Sequence, residues 1–227
     1  MASAYRDGVP LPSVRRRAPR GRQALPPGLV QLRARRVGRA QHPERFAVVD
    51  LETTGLDPAT DRVIEIAVVT VDGHGRLLGE WSALVDPGRD PGPTEVHGIT
   101  AADLAGAADF ATVAAQVAPL LAGTVVVAHN LAFDAAFLAA EQRRVGADLL
   151  AAADGGLCTL DLSRRMVRRP AGGWSLAALC AHVDVALVDP HRALVDARAT
   201  AGLLAALLAG LPSGRPRLLG RRLTRSA

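Results

Sequence analysis

Residues 48–56 read VVDLETTGL. Apolar residues lead into Asp50, and Leu51, Glu52, two threonines and a glycine follow. In an extended strand, residues i and i+2 point to the same side. Asp50 and Glu52 therefore project together, with Cα atoms about 6.6 Å apart at about 3.3 Å per residue. Burying ionised carboxylates at the end of an apolar strand is costly unless a partner offsets the charge. That spacing lets both carboxylates reach one cation. A D-x-E pair by itself is common at solvated strand ends, so the reading depends on further acids elsewhere in the chain.

Outward from this stretch, FAVVDL from Phe46 reads as a buried strand and DPATDR as a turn. VIEIAVVTVD is a second strand, GHG a hairpin turn and RLLGEWSALVD a third strand. PGRDPGPTEVHGI reads as a loop. TAAD from Thr100 resembles a capping box in which Asp103 replaces the usual Glu or Gln. A short helix follows, then a longer one over residues 109–121. TVVVAH is a fourth strand, AFDAAFLAAEQRRV an amphipathic helix and LCTLD a fifth strand, before helices at SLAALCAHV and RALVDARATAGLLAALL. Three consecutive strands followed by alternating helices and strands predict an α/β domain. It has a mixed five-stranded sheet with helices on both faces.

Two further acids stand out. Asp134, in HNLAFDAAFL, falls near the first turn of a helix, where the dipole favours an anion. Asp196, in HRALVDARAT, lies in an Ala- and Leu-rich helix, where an ionised carboxylate needs a partner. The chain has no Lys, and Arg192 and Arg198 are the basic residues close to Asp196 in sequence. Oxygen-only ligands suit Mg²⁺ or Mn²⁺ rather than Zn²⁺. His191 precedes Asp196 by five residues, about 140° away around a regular helix, so the two would not share a face. Pro190 disfavours helix at Asp189, which places His191 at or before the helix start. A helix N-terminus keeps an imidazole neutral and able to accept a proton.

Charge divides the chain into three. Residues 1–45 carry 11 Arg against Asp7 and Glu44, residues 46–210 carry 11 Arg against 20 acids, and residues 211–227 carry five Arg and no acid. The expected organisation is a basic, mostly disordered extension over 1–44, a folded domain over 46–210 and a basic tail over 211–227. Basic ends suit a polyanionic partner such as nucleic acid. Cys158 and Cys180 lie in apolar settings without a C-x-x-C pattern and read as buried, reduced thiols of a cytoplasmic protein. No signal-peptide pattern is evident. The longest apolar run, 13 residues from Ala199, is too short to span a bilayer.

The motifs VVDLETTGL, EVHGIT, VVAHNLAFDAAFL, CTLDLSRR and HRALVDARAT, in this order, resemble those of the DEDDh 3′–5′ exonucleases. That family includes the proofreading epsilon subunit of bacterial DNA polymerase III, with RNase T and oligoribonuclease as relatives. The resemblance covers about residues 46–210 and implies a ribonuclease H-like fold. It implies that Asp50, Glu52, Asp134 and Asp196 hold two Mg²⁺ or Mn²⁺ ions. His191 would accept a proton from the attacking water, and the products would be nucleoside 5′-monophosphates from single-stranded 3′ ends. It further implies a substrate-supporting turn at Thr53, Thr54 and Gly55, with Leu56 against the terminal base. His97 and Phe133 would border the terminal nucleotide. DNA is the expected substrate in preference to RNA. A DNA polymerase or repair complex is the macromolecular partner the resemblance suggests. The competing readings are an RNA-processing exonuclease of the RNase T or oligoribonuclease kind and a noncatalytic nucleic-acid- or polymerase-binding module.

Overall fold

A computed structural model describes residues 45–209, together with residues 33–34 and 218–219. The extension expected over 1–44 and the tail expected over 211–227 otherwise lie outside the described residues. β1 (Arg33–Ala34) pairs antiparallel with β7 (Leu218–Leu219) as a separate two-stranded ladder.

The main sheet has five strands in the order β4-β3-β2-β5-β6. β2 (Arg45–Thr53), β3 (Val63–Asp72) and β4 (Leu77–Leu84) form an antiparallel meander. β5 (Val125–Ala128) and β6 (Gly155–Cys158) add parallel to β2. Before β5 the chain makes α1 (Thr94–His97), α2 (Ala101–Leu104) and α3 (Phe110–Leu121). α4 (Leu131–Val145) crosses from β5 to β6, and α5 (Thr159–Met166), α6 (Leu176–His182) and α7 (Ala193–Ala209) follow. The mixed sheet expected from the sequence is therefore the one observed.

Alternation along the strands builds two cores. Ala47, Val49 and Leu51 of β2 join Phe110 and Val117 of α3 and Phe137 and Leu138 of α4 on one face. Phe46 and Val48 join Leu179 of α6 and Leu203, Leu204 and Leu207 of α7 on the other. By the same period of two, Asp50 and Glu52 fall on the α7 face. β3 follows suit: Ala67, Val69 and Val71 pack toward α7, so Glu65 shares that side.

Several helix ends follow the expected chemistry. The Thr100 side chain accepts from Asp103 N, and the Asp103 carboxylate accepts from Thr100 N at 2.8 Å, closing the box. Asp109 caps α3 through Thr112 N at 2.9 Å. Two segments differ. EVHGIT, read as loop, begins with the single turn α1. LCTLD, read as a strand, splits: the ladder ends at Cys158 opposite Ala128, and Thr159 starts α5. With β5 exhausted, no neighbouring strand remains for Thr159 to pair with. Helical spacing instead brings Arg164 within 3.5 Å of Asp161.

Candidate active site and metal centre

The site forms at the C-terminal end of β2, against the start of α7. Glu52 is buried and Asp50 half-buried on the α7 face of β2. Asp196 lies in the first turn of α7, which packs against β2 and β3. One carboxylate oxygen from each of Asp50, Glu52 and Asp196 lies within 4.8 Å of the other two. Three converging hard oxygens match the donor set that Mg²⁺ and Mn²⁺ prefer. Asp134 is buried in the first turn of α4 and stands outside this trio. Asn130 occupies the N-cap of α4 in the left-handed region, with φ 78°, and its side chain makes no capping bond.

His191 is exposed and lies two residues before α7, as Pro190 foretold. Its backbone, at φ 74°, donates from N to Asp196 Oδ2 at 3.3 Å. The histidine and the acid, separated by 140° on an ideal helix, are joined because His191 is not helical.

The turn after Glu52 is tightly shaped. Thr53 Oγ1 donates to the Gly55 carbonyl at 2.6 Å. Thr54 Oγ1 accepts from Arg62 N at 3.1 Å and donates to Asp61 Oδ1 at 3.4 Å. Both hydroxyls thus serve the turn itself. Gly55 has no left-handed φ. A Cβ there would lie 2.3 Å from Asp61 Oδ2, so a larger residue would have to push the Asp61 carboxylate away from Thr54 and Asp57. Gly92, at φ +83°, brings the following loop against the Thr54 carbonyl, which an added Cβ would meet at 2.2 Å. Leu56 projects from this turn 60% exposed, a position for an apolar side chain awaiting a contact.

His97 is buried, and its Nδ1 accepts from Ile99 N at 3.0 Å. Burial pushes its pKa down, while the Pro91 carbonyl and the charges of Glu95 and Glu65 pull it up. Phe133 packs on the α4 side of the core, its ring centroid 4.9 Å from that of Phe137. His129 bridges the end of β5 to later segments, with Nδ1 3.0 Å from Thr159 Oγ1 and Nε2 3.1 Å from the Trp174 carbonyl. A carbonyl only accepts, so Nε2 carries a proton. Behind Asp196, burial and then the Asp196 charge raise the Cys180 thiol to about 11. Cys158 is likewise raised, chiefly by burial, and both thiols are free and buried.

Two groups next to the site escaped the sequence reading. Glu65, in the middle of the apolar strand VIEIAVV, is buried and bound to Arg192. Glu141, fully buried on α4, accepts from Arg62 Nε at 2.7 Å and from Val63 N at 3.2 Å. A lone acid at an apolar position was the available signal for both.

Comparison with known proteins bears on this arrangement. The RNase_T family model, described as exonuclease, matches residues 47–204. A Mycobacterium tuberculosis protein whose name couples exonuclease and endonuclease is 41% identical over 172 residues, covering 72% of this chain and 26% of that protein. The PolC-type DNA polymerase III of Bacillus subtilis is 34% identical, over 73% of this chain and 11% of the polymerase. An epsilon-like DNA polymerase III subunit of Rhodobacter capsulatus is 37% identical, over 73% of this chain and 24% of that protein. The chain thus spans about a quarter or less of these relatives. In fold it matches Escherichia coli exonuclease I solved with zinc and single-stranded DNA, with TM-score 0.69 and 21% identity over 76% of this chain and 42% of that one. With the family model spanning the described domain from β2 into α7, this chain belongs to the RNase_T exonuclease family.

Proposed function

We propose that the chain is a divalent-metal-dependent 3′–5′ exonuclease that releases nucleoside 5′-monophosphates from single-stranded 3′ ends, DNA in preference to RNA. The observation that carries this reading is the convergence of Asp50, Glu52 and Asp196 oxygens within 4.8 Å, with His191 tied to Asp196 at their edge. Asp50, Glu52, Asp134 and Asp196 would hold two Mg²⁺ or Mn²⁺ ions. Such ions, when bound, lower the pKa of water and offset charge on the phosphate. His191 takes the proton from the attacking water, a role that suits its exposed place outside the helix. Leu56 presses on the terminal base from the turn built by Thr53, Thr54 and Gly55, while His97 and Phe133 support the terminal nucleotide from beneath. The polymerase-type relatives support DNA rather than RNA as the substrate, and their names support a DNA polymerase or repair assembly as the partner.

Digestion of 5′-labelled and 3′-labelled oligonucleotides, DNA and RNA, tests the proposal in Mg²⁺, Mn²⁺ or chelator. A ladder shortening from the 3′ end, immediate mononucleotide release from the 3′ label and full loss of activity in chelator are expected. Asp50→Ala should retain its fold and lower turnover by about 10³-fold, or roughly 4 kcal/mol of transition-state stabilisation. Internal cleavage products or chelator-resistant turnover would overturn the assignment.

A further inference from the structure

The segment that delivers His191 is under backbone constraint. Asp184, Asp189 and His191 all have positive φ, at 58°, 52° and 74°. L side chains keep this region only where surrounding structure enforces it. The two residues that follow His191 are both held by one buried carboxylate. Glu65 Oε2 accepts from Ala193 N at 2.9 Å and from Arg192 Nε at 3.3 Å, and Glu65 Oε1 accepts from Arg192 Nη2 at 3.1 Å. The Glu65 side chain is 5% exposed, and β3 places it directly opposite Glu52 of β2. One side chain therefore ties the strand opposite the acid pair to the start of α7.

We infer that Glu65 is a positioning residue that sets the backbone of His191 by gripping Arg192 and Ala193 against the sheet. This inference rests on the proposed role of His191. A backbone carbonyl could have capped Ala193 N as well as Glu65 does. The bidentate Arg192 contact adds orientation, because a planar guanidinium fork fixes both distance and angle. The same contact brings a cation close to the acid pair. The charged form of Arg192 is favoured first by its hydrogen bonds to Glu65, then by the Glu65 charge, with Asp103 and Glu52 contributing further. Without it, Glu65 would stand as an uncompensated buried carboxylate across from Glu52, since cross-strand neighbours lie about 5 Å apart.

The test uses the full chain and the variants Glu65→Gln, Glu65→Ala, Arg192→Gln, His191→Ala and Glu65→Gln/His191→Ala. Each is checked by thermal unfolding and assayed for kcat and KM on a single-stranded oligonucleotide. Glu65→Gln is expected to lower kcat about 10-fold and Glu65→Ala about 100-fold, with KM within about twofold. In the His191→Ala background, Glu65→Gln should change the residual rate by less than about twofold, because a residue acting through His191 has nothing left to position. Amide exchange over residues 184–193 should quicken about 10-fold in Glu65→Gln and Arg192→Gln. The inference is overturned by kcat near wild type in folded Glu65→Gln and Arg192→Gln, by an equal loss in both backgrounds, or by unchanged exchange over 184–193. If His191→Ala keeps wild-type turnover, the role of His191 fails instead. The exchange measurement then still decides whether Glu65 holds the segment. If Glu65→Ala does not fold, the near-isosteric Glu65→Gln and Arg192→Gln carry the decision.

Discussion

At the residue scale, His97 shows how burial sets a pH response. Its folded pKa lies below the ordinary value of 6.5, with burial the largest cause. The unfolded chain therefore binds a proton more readily than the folded one as pH falls below about 6.5. The neutral ring contributes its full share of stability above that pH, and the share is lost as pH falls toward the folded pKa. His97→Asn, whose side-chain oxygen can accept from Ile99 N, should flatten this acid-side loss. Thermal unfolding midpoints at pH 7.5 and pH 5 check it: the wild type should lose more than the variant between the two. A drop of equal size in both would remove His97 from the account. Asp50, Glu52 and Asp196, which the structure brings together, stood out in the sequence because each carries a charge in an apolar setting. The engagement of the Thr53 and Thr54 hydroxyls with Gly55, Asp61 and Arg62 was not legible, because those partners are set by how the turn folds.

At the element scale, the turn after β2 is braced by α4. Glu141 accepts from Arg62 at 2.7 and 3.1 Å and from Val63 N, and it lies 3.3 Å from Arg144. Arg144 Nη2 in turn donates to the Pro58 and Ala59 carbonyls at 2.8 and 2.9 Å. Removing one partner of a buried pair leaves an uncompensated charge, at a cost of about 3–5 kcal/mol. Glu141→Ala should lose about 3 kcal/mol, at the lower end because Arg62 keeps 27% of its side chain exposed. Urea unfolding measures it. A loss below about 1 kcal/mol would mean the arginines repair the site through water. Strands and long helices were legible from period alone. α1 and α5 were not. α1 is a single turn within a loop rich in Gly and Pro, and α5 begins where β6 runs out of a partner, a fact of the sheet and not of the local residues.

At the scale of the whole molecule, the proposed polyanionic substrate would meet an acidic body, while the sequence concentrates basic residues in the segments 1–45 and 211–227. Among the described residues, several body arginines are committed to acids: Arg62 to Glu141, Arg192 to Glu65 and Arg198 to Glu80. They are poorly placed to release counterions from a nucleic acid. Deleting residues 1–44 should therefore weaken oligonucleotide binding more at low salt than at high salt, and leave the hydrolytic step unchanged. Titrations at several salt concentrations report the slope, and an unchanged slope would make those arginines bystanders. Among the described residues, no helix is long and apolar enough to cross a membrane.

The sequence alone determined the α/β class, the mixed sheet and the position of His191 ahead of its helix. Those features are local: strand alternation, helical period and the proline rule act within a few residues. Tertiary structure decided which acids meet. Only the packing of α7 on β2 and β3 brings Asp196 to Asp50 and Glu52, and leaves Asp134 outside their trio. It likewise gave Glu65 its grip on Arg192, across 127 positions of chain. Contacts so remote in sequence arise from how faces pack, which no local pattern encodes.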